Sequence, residues 1–110
     1  MSGSGNQLLR TPADLEIIDY LNVLYVADTG NNRIQKFSLG NLTGTTVAGN
    51  ANGTGGSSRN EFLEPSAIQV DSSGNLFVSD RYNHRLQFWA SGSLTGVTIA
   101  GNDTGKRLIH

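Results

Sequence analysis

The chain has 110 residues, a net charge of −1, 15% charged residues and no cysteine. This composition excludes a disulfide framework and a thiolate metal site, and it argues against nucleic-acid or membrane binding through a strongly basic surface. Many Gly, Asn, Ser and Thr residues favour turns between short strands over helices. The sequence predicts neither a secretory signal nor a membrane span, and the cellular compartment stays open.

The chain contains one pattern twice. Residues 24–50 align with residues 76–102 at a constant offset of 52, with 14 of 27 positions identical. Upstream, Pro12 aligns with Pro65, and the segment Asn6-Gln-Leu-Leu aligns with Asn60-Glu-Phe-Leu. We therefore expect two copies of one structural unit. The expected boundaries are a flexible, tag-like leader at 1–5, unit 1 with its linker at 6–59, unit 2 at 60–105 and a tail at 106–110.

Four short strands are predicted in each unit. In chain order they cover 13–17, 24–27, 33–37 and 45–48 in unit 1, and 66–70, 76–79, 85–89 and 97–100 in unit 2. Turn residues separate the strands, and Gly30 and Asn31, which tolerate positive φ, favour a tight reversal after the second strand. Four strands of ~4–6 residues in ~50 residues are typical of one blade of a β-propeller.

These residues resemble the NHL repeat. The string P-x-x-I-x-V-D is followed by L-F-V-S-D, N-x-R-L-Q-F and T-x-A-G, and the block V-A-D-x-x-N-x-R-I-Q has a counterpart in each unit. The resemblance covers about residues 6–105 and implies an all-β fold with two four-stranded antiparallel blades per chain. Because the resemblance is to propellers that close at six blades, it implies that oligomerisation supplies the missing blades.

Two blades alone leave two apolar faces exposed. We expect these outer faces to carry the inter-blade packing residues Tyr25, Phe37, Phe77, Phe88 and Trp89. Each large apolar side chain left in water forfeits ~1.5–3 kcal/mol of burial. We therefore expect head-to-tail association of the chain with itself, as a homotrimer with six blades, and a tetramer with eight blades is the alternative.

Polar residues recur at one spacing in the turn after the second strand. Five of them are interpreted as turn or inter-blade residues: Asp28, Asn31, Arg33, Asp80 and Asn83. In the favoured interpretation the Asp carboxylate accepts backbone N–H groups of its own turn while the Arg reaches between blades. A ring of polar groups that presents a ligand site on the propeller rim is the alternative.

A second polar cluster differs between the units. Arg81, Tyr82, His84 and Arg85 stand where unit 1 has Thr, Gly, Asn32 and Arg, so unit 2 is more basic and aromatic there. One hypothesis is a rim site for an anionic ligand or a stacked base, formed by these residues and Asn32. The alternative is an exposed turn without a ligand.

No enzymatic motif is found, and no catalytic residue, metal site or cofactor is predicted. Lyases of the resembled family use metal-binding histidines that this chain lacks at matching positions. We expect a non-enzymatic scaffold or interaction module, and its near-duplicate halves suggest an engineered or reconstructed fragment. Single-stranded RNA or another anionic ligand on the rim is the alternative function; a metal-dependent lyase and a carbohydrate-binding propeller are further ones.

Overall fold

In the part of the chain that the structure describes, eight strands form two antiparallel sheets of four strands each. The computed structural model describes residues 9, 12, 14–18, 22–38, 40 and 44–101, so the expected leader at 1–5 and tail at 106–110 lie outside the described residues. Blade 1 contains β1 (Asp14–Ile18), β2 (Val23–Asp28), β3 (Arg33–Ser38) and β4 (Gly44–Gly49). Blade 2 contains β5 (Pro65–Val70), β6 (Leu76–Asp80), β7 (Arg85–Trp89) and β8 (Val97–Gly101). The predicted all-β fold with antiparallel sheets is confirmed.

Each sheet is a meander in which strands pair in chain order. In blade 2, the turn between β5 and β6 is closed by Asp71, whose carboxylate accepts the N–H groups of Ser73 and Asn75, both at 2.9 Å. Gly74 supplies the positive φ, +84°, that this turn requires. The Asn75 bonds to the carboxylate lower the pKa of Asp71. The turn therefore favours the charged carboxylate.

A single 3₁₀ turn follows the second strand of each blade, at Thr29–Asn31 and Arg81–Asn83. The left-handed residues are Asn32 (φ 55°) and His84 (φ 54°), which follow these turns. Gly30 and Asn31, the residues that tolerate positive φ in the sequence, lie within the 3₁₀ turn instead. In blade 1 the chain reverses at Asn32, the residue after the 3₁₀ turn. The N–H of Asn32 donates to the Thr29 carbonyl at 3.1 Å and closes the turn.

The alternation of side chains gives each blade two faces. We call the front face the one that carries Leu24, Val26, Gln35 and Phe37 in blade 1, and Leu76, Val78, Gln87 and Trp89 in blade 2. The back face carries Tyr25, Ala27, Ile34 and Ala48 in blade 1, and Phe77, Ser79, Leu86 and Ala100 in blade 2. The core lies where the back face of blade 1 packs against the front face of blade 2.

Tyr25 and Trp89 lie inside this junction, with 5% and 2% of their surfaces exposed. The expectation that both stand on bare outer faces is therefore wrong. Trp89 also donates its indole N–H to the Ser93 carbonyl at 2.9 Å, which satisfies its polar edge.

The described residues include no helix that is long and apolar enough to span a membrane.

Candidate functional site

A buried ion pair lies beneath the 3₁₀ turn of each blade. The Nε of Arg33 lies 2.8 Å from Oδ2 of Asp28, and the Nε of Arg85 lies 2.8 Å from Oδ2 of Asp80. The amides of Asn31 and Asn83 donate to the same carboxylates, at 3.0 and 2.8 Å. Because the acid precedes the turn and the arginine follows it, each pair ties the two ends of its turn together.

The ion pair of blade 2 also holds the linker, residues 50–64, that precedes the blade. Arg85 donates through Nη2 to the carbonyls of Ser58 and Glu61, both at 2.8 Å, and through Nη1 to that of Ser57 at 2.9 Å. Asp80 accepts the Leu63 N–H at 2.7 Å. Neither aspartate caps its own 3₁₀ turn. The interpretation that Asp80 accepts backbone N–H groups of its own turn is therefore wrong, since the backbone N–H that it accepts is that of Leu63 in the linker.

Residues of blade 1 also form hydrogen bonds with this linker. The Asn32 side chain accepts the Glu64 N–H at 2.8 Å and donates to the Gly53 carbonyl at 3.1 Å. The Thr29 hydroxyl donates to the Pro65 carbonyl at 2.6 Å. Both blades therefore bond to the strip of backbone between them, and the junction is specified by hydrogen bonds as well as by apolar contact.

Phe62 of the linker is the apolar centre of the junction. It is completely buried, and its ring centroid lies 5.2 Å from that of Trp89 in blade 2. On the blade 1 side, a methyl group added to Gly49 would stand 3.1 Å from the Phe62 ring. Phe62 was not singled out in the sequence, although the alignment of Asn60-Glu-Phe-Leu with Asn6-Gln-Leu-Leu marks it as an apolar position of both units.

Burial and hydrogen bonding shift the pKa values of the acidic groups at the junction in opposite directions. Burial raises the pKa of the Asp80 carboxyl, although Asn83, the Leu63 N–H and Arg85 all donate to it. The Ser58 side chain and backbone donate to Glu61 and lower the pKa of its carboxyl. Burial raises the pKa of the Tyr25 hydroxyl.

The back face of blade 2 has no blade packed on it among the described residues. Phe77 and Phe88 pair on this face with ring centroids 5.2 Å apart, and Leu86 is half-buried. Val97 and Ile99 at its outer edge are 57% and 50% exposed. A groove of about 430 Å³ lies beside Leu86 and runs to the 3₁₀ turn. We call this surface the open face.

Three of the five predicted rim residues lie at the surface. Arg81, Tyr82 and His84 are exposed, and the Arg81 guanidinium lies 5.2 Å from the centroid of the Tyr82 ring. Arg85 is buried in its linker contacts, and Asn32 is half-buried and bonded to the linker. Arg85 and Asn32 are therefore corrected from candidate ligand residues to linker-binding residues.

Among the side chains that the structure describes, no group of three or more His, Asp or Glu residues is placed to hold a metal ion.

Comparison with known proteins identifies the repeat. The NHL-repeat family matches residues 9–37 and 62–88, which together make up slightly more than half of the chain. The two matched segments include both buried ion pairs and the linker residues Phe62 and Leu63. Among curated proteins, none matches the chain. The two matches in register with the two blades show that the chain belongs to the NHL-repeat family.

Proposed function

We propose that this chain is a non-enzymatic interaction module that assembles with copies of itself into a closed β-propeller. In the proposed ring, the back face of blade 2 packs against the front face of blade 1 in the next copy. In this proposal each expected unit, 6–59 and 60–105, supplies one blade. The observation that carries the proposal is the open face, which repeats a surface that is buried elsewhere in the same chain.

Aligned residues on the two back faces differ in burial. Ile34 and Ala48 of blade 1 are 0% and 2% exposed beneath blade 2. Their counterparts Leu86 and Ala100 are half-buried and exposed. At the edge, Val47 packs against the core, whereas its counterpart Ile99 is 50% exposed. A second copy that covers these side chains would bury them. Full burial of one large apolar side chain stabilises by ~1.5–3 kcal/mol.

The receiving surface is the front face of blade 1. Its residues Leu24 and Phe37 are half-buried, whereas their counterparts Leu76 and Trp89 are buried inside the junction. A front face and a back face thus recur at opposite ends of the chain. A contact of this head-to-tail kind extends through copies until the rotation closes a ring. Since the resembled family closes at six blades, three copies are the proposed stoichiometry.

The function proposed for the ring is to present its turns to partners. Each copy contributes Arg81, Tyr82 and His84 at the surface, so three copies would repeat this turn around one face. RNA binding is not part of the proposal, because Arg85, one of its two expected arginines, is buried in linker contacts.

Light scattering coupled to size exclusion tests the assembly, with the 110-residue chain at micromolar concentration. We expect three times the chain mass. Leu86→Asp and Ile99→Asp should each give a folded monomer, because a charge on the open face would be buried without a partner. Leu94→Asp is the matched control, since Leu94 is 85% exposed outside that face. A monomeric wild-type chain, or trimers that survive both open-face substitutions, would overturn the proposal.

A further inference from the structure

We infer that the groove on the open face is a socket for Leu8 of a second copy. This inference rests on the proposed assembly and assigns the segment that enters the junction. The socket lies where β7 and β8 meet the 3₁₀ turn, and it is lined by Ser79, Arg81, His84, Leu86, Ala100 and Gly101.

The template for the socket is the place that Phe62 occupies on blade 1. The lining residues of the groove align at the offset of 52 with Ala27, Thr29, Asn32, Ile34, Ala48 and Gly49. On blade 1 this surface is closed by Phe62, whose ring a methyl group at Gly49 would approach to 3.1 Å. Phe62 is completely buried there, in one cluster with Ile34 and Ala48.

The backbone of the socket matches that of the template. Gly49 and Gly101 both have positive φ, 85° and 97°, and Asn32 and His84 are both left-handed. At Gly101, the three described atoms nearest to an added methyl group belong to His84 and Arg85, whereas at Gly49 the third belongs to the Phe62 ring. The shape that receives an apolar side chain in blade 1 is therefore repeated in blade 2.

The sequence supplies a matching apolar side chain. Asn6-Gln-Leu-Leu aligns with Asn60-Glu-Phe-Leu, which places Leu8 at the position of Phe62 and Leu9 at that of Leu63. In the internal linker, Phe62 points into the junction while Leu63 is 38% exposed. The alignment therefore pairs Leu8 with the inserted residue Phe62, and Leu9 with the exposed residue Leu63.

The absence of cysteine from the sequence makes engineered disulfides a clean test. In Leu8→Cys with Ala100→Cys, oxidation should join neighbouring copies, with loss of the monomer band on a non-reducing gel in favour of dimers and closed trimers. Leu9→Cys with Ala100→Cys is the matched control and should leave the monomer band. Ala48→Cys with Phe62→Cys calibrates the geometry, because it should close the equivalent disulfide within one chain.

The mass of each variant before oxidation separates the two proposals. Trimers that cross-link through position 8 and not through position 9 support the socket. Trimers in which Leu8→Cys stays unlinked or links within its own chain, while the calibration pair closes, overturn the socket and leave the assembly standing. Monomers throughout overturn both.

Discussion

The back faces of the two blades show that exposure within one chain does not follow polarity. At one aligned position the covered face of blade 1 carries Lys36, whose Nζ lies 5.9 Å from the centroid of the Tyr25 ring. The open face of blade 2 carries Phe88 there, against Phe77. A surface adapted to water would place the lysine on the open side, and this chain does the reverse. The open face therefore has the composition of a contact surface.

The largest expected effect breaks the covered junction. Trp89→Ala should reduce the free energy of unfolding by ~3–5 kcal/mol, because it removes a buried aromatic side chain that contacts Phe62. Urea denaturation followed by circular dichroism measures the loss. Arg81→Ala is the control, since Arg81 is exposed and should change stability by less than ~0.5 kcal/mol. Equal losses in the two variants would mean that the faces are assigned wrongly.

A smaller effect is expected at Asn32 and His84, the aligned residues with positive φ in the two blades. Asn32→Ala should destabilise the chain by ~1–3 kcal/mol more than His84→Ala, because it leaves the Glu64 N–H and the Gly53 carbonyl without their partner. Both substitutions place alanine at nearly the same φ, so the backbone strain cancels. The comparison is made by urea denaturation at a concentration where both variants are monomeric. A difference near zero would show that the linker is held by other contacts.

The smallest expected effect concerns pH. The folded-state pKa of Glu61 is lowered by Ser58, so its carboxylate stabilises the fold above the unfolded pKa, and that stability is lost as the pH falls through the folded pKa. Between pH 7 and pH 3, the wild-type melting temperature should therefore fall further than that of Glu61→Gln. The corresponding difference in the free energy of unfolding should stay below ~1 kcal/mol, because Glu61 is only partly buried. An equal fall would show that these hydrogen bonds do not favour the charged form.

The strand pattern could be predicted from the sequence, and the choice of covered face could not. Alternation separates Tyr25 from Phe37 and Phe77 from Trp89, yet it does not show which side meets the other blade. When two repeats are related by a rotation, the back face of one packs against the front face of the next. The shared junction therefore contains Tyr25 from the back face of blade 1 and Trp89 from the front face of blade 2. The outer-face expectation failed for Tyr25 and Trp89 because it assigned all five aromatic residues to the two outer faces and none to the shared junction.

The linker contacts were also beyond a strand-by-strand prediction. The Asp80 and Arg85 spacing indicated a structural pair, but its partners, the Leu63 N–H and the carbonyls of Ser58 and Glu61, are backbone groups that carry no sequence signature. The positive φ fell on Asn32 for a related reason. A 3₁₀ turn of three residues intervenes, and its length depends on the hydrogen bond that closes it rather than on where glycine occurs.

Successive residues of the linker form hydrogen bonds with different blades. Ala51 and Gly53 are held by Arg33 and Asn32 of blade 1, whereas the stretch from Gly56 to Leu63 is held by Asn83, Arg85 and Asp80 of blade 2. A break in the chain between Thr54 and Gly55 would therefore leave most of these bonds intact on either side. Circular permutation or recombination at that peptide bond would transfer a blade together with the strip of backbone that docks it.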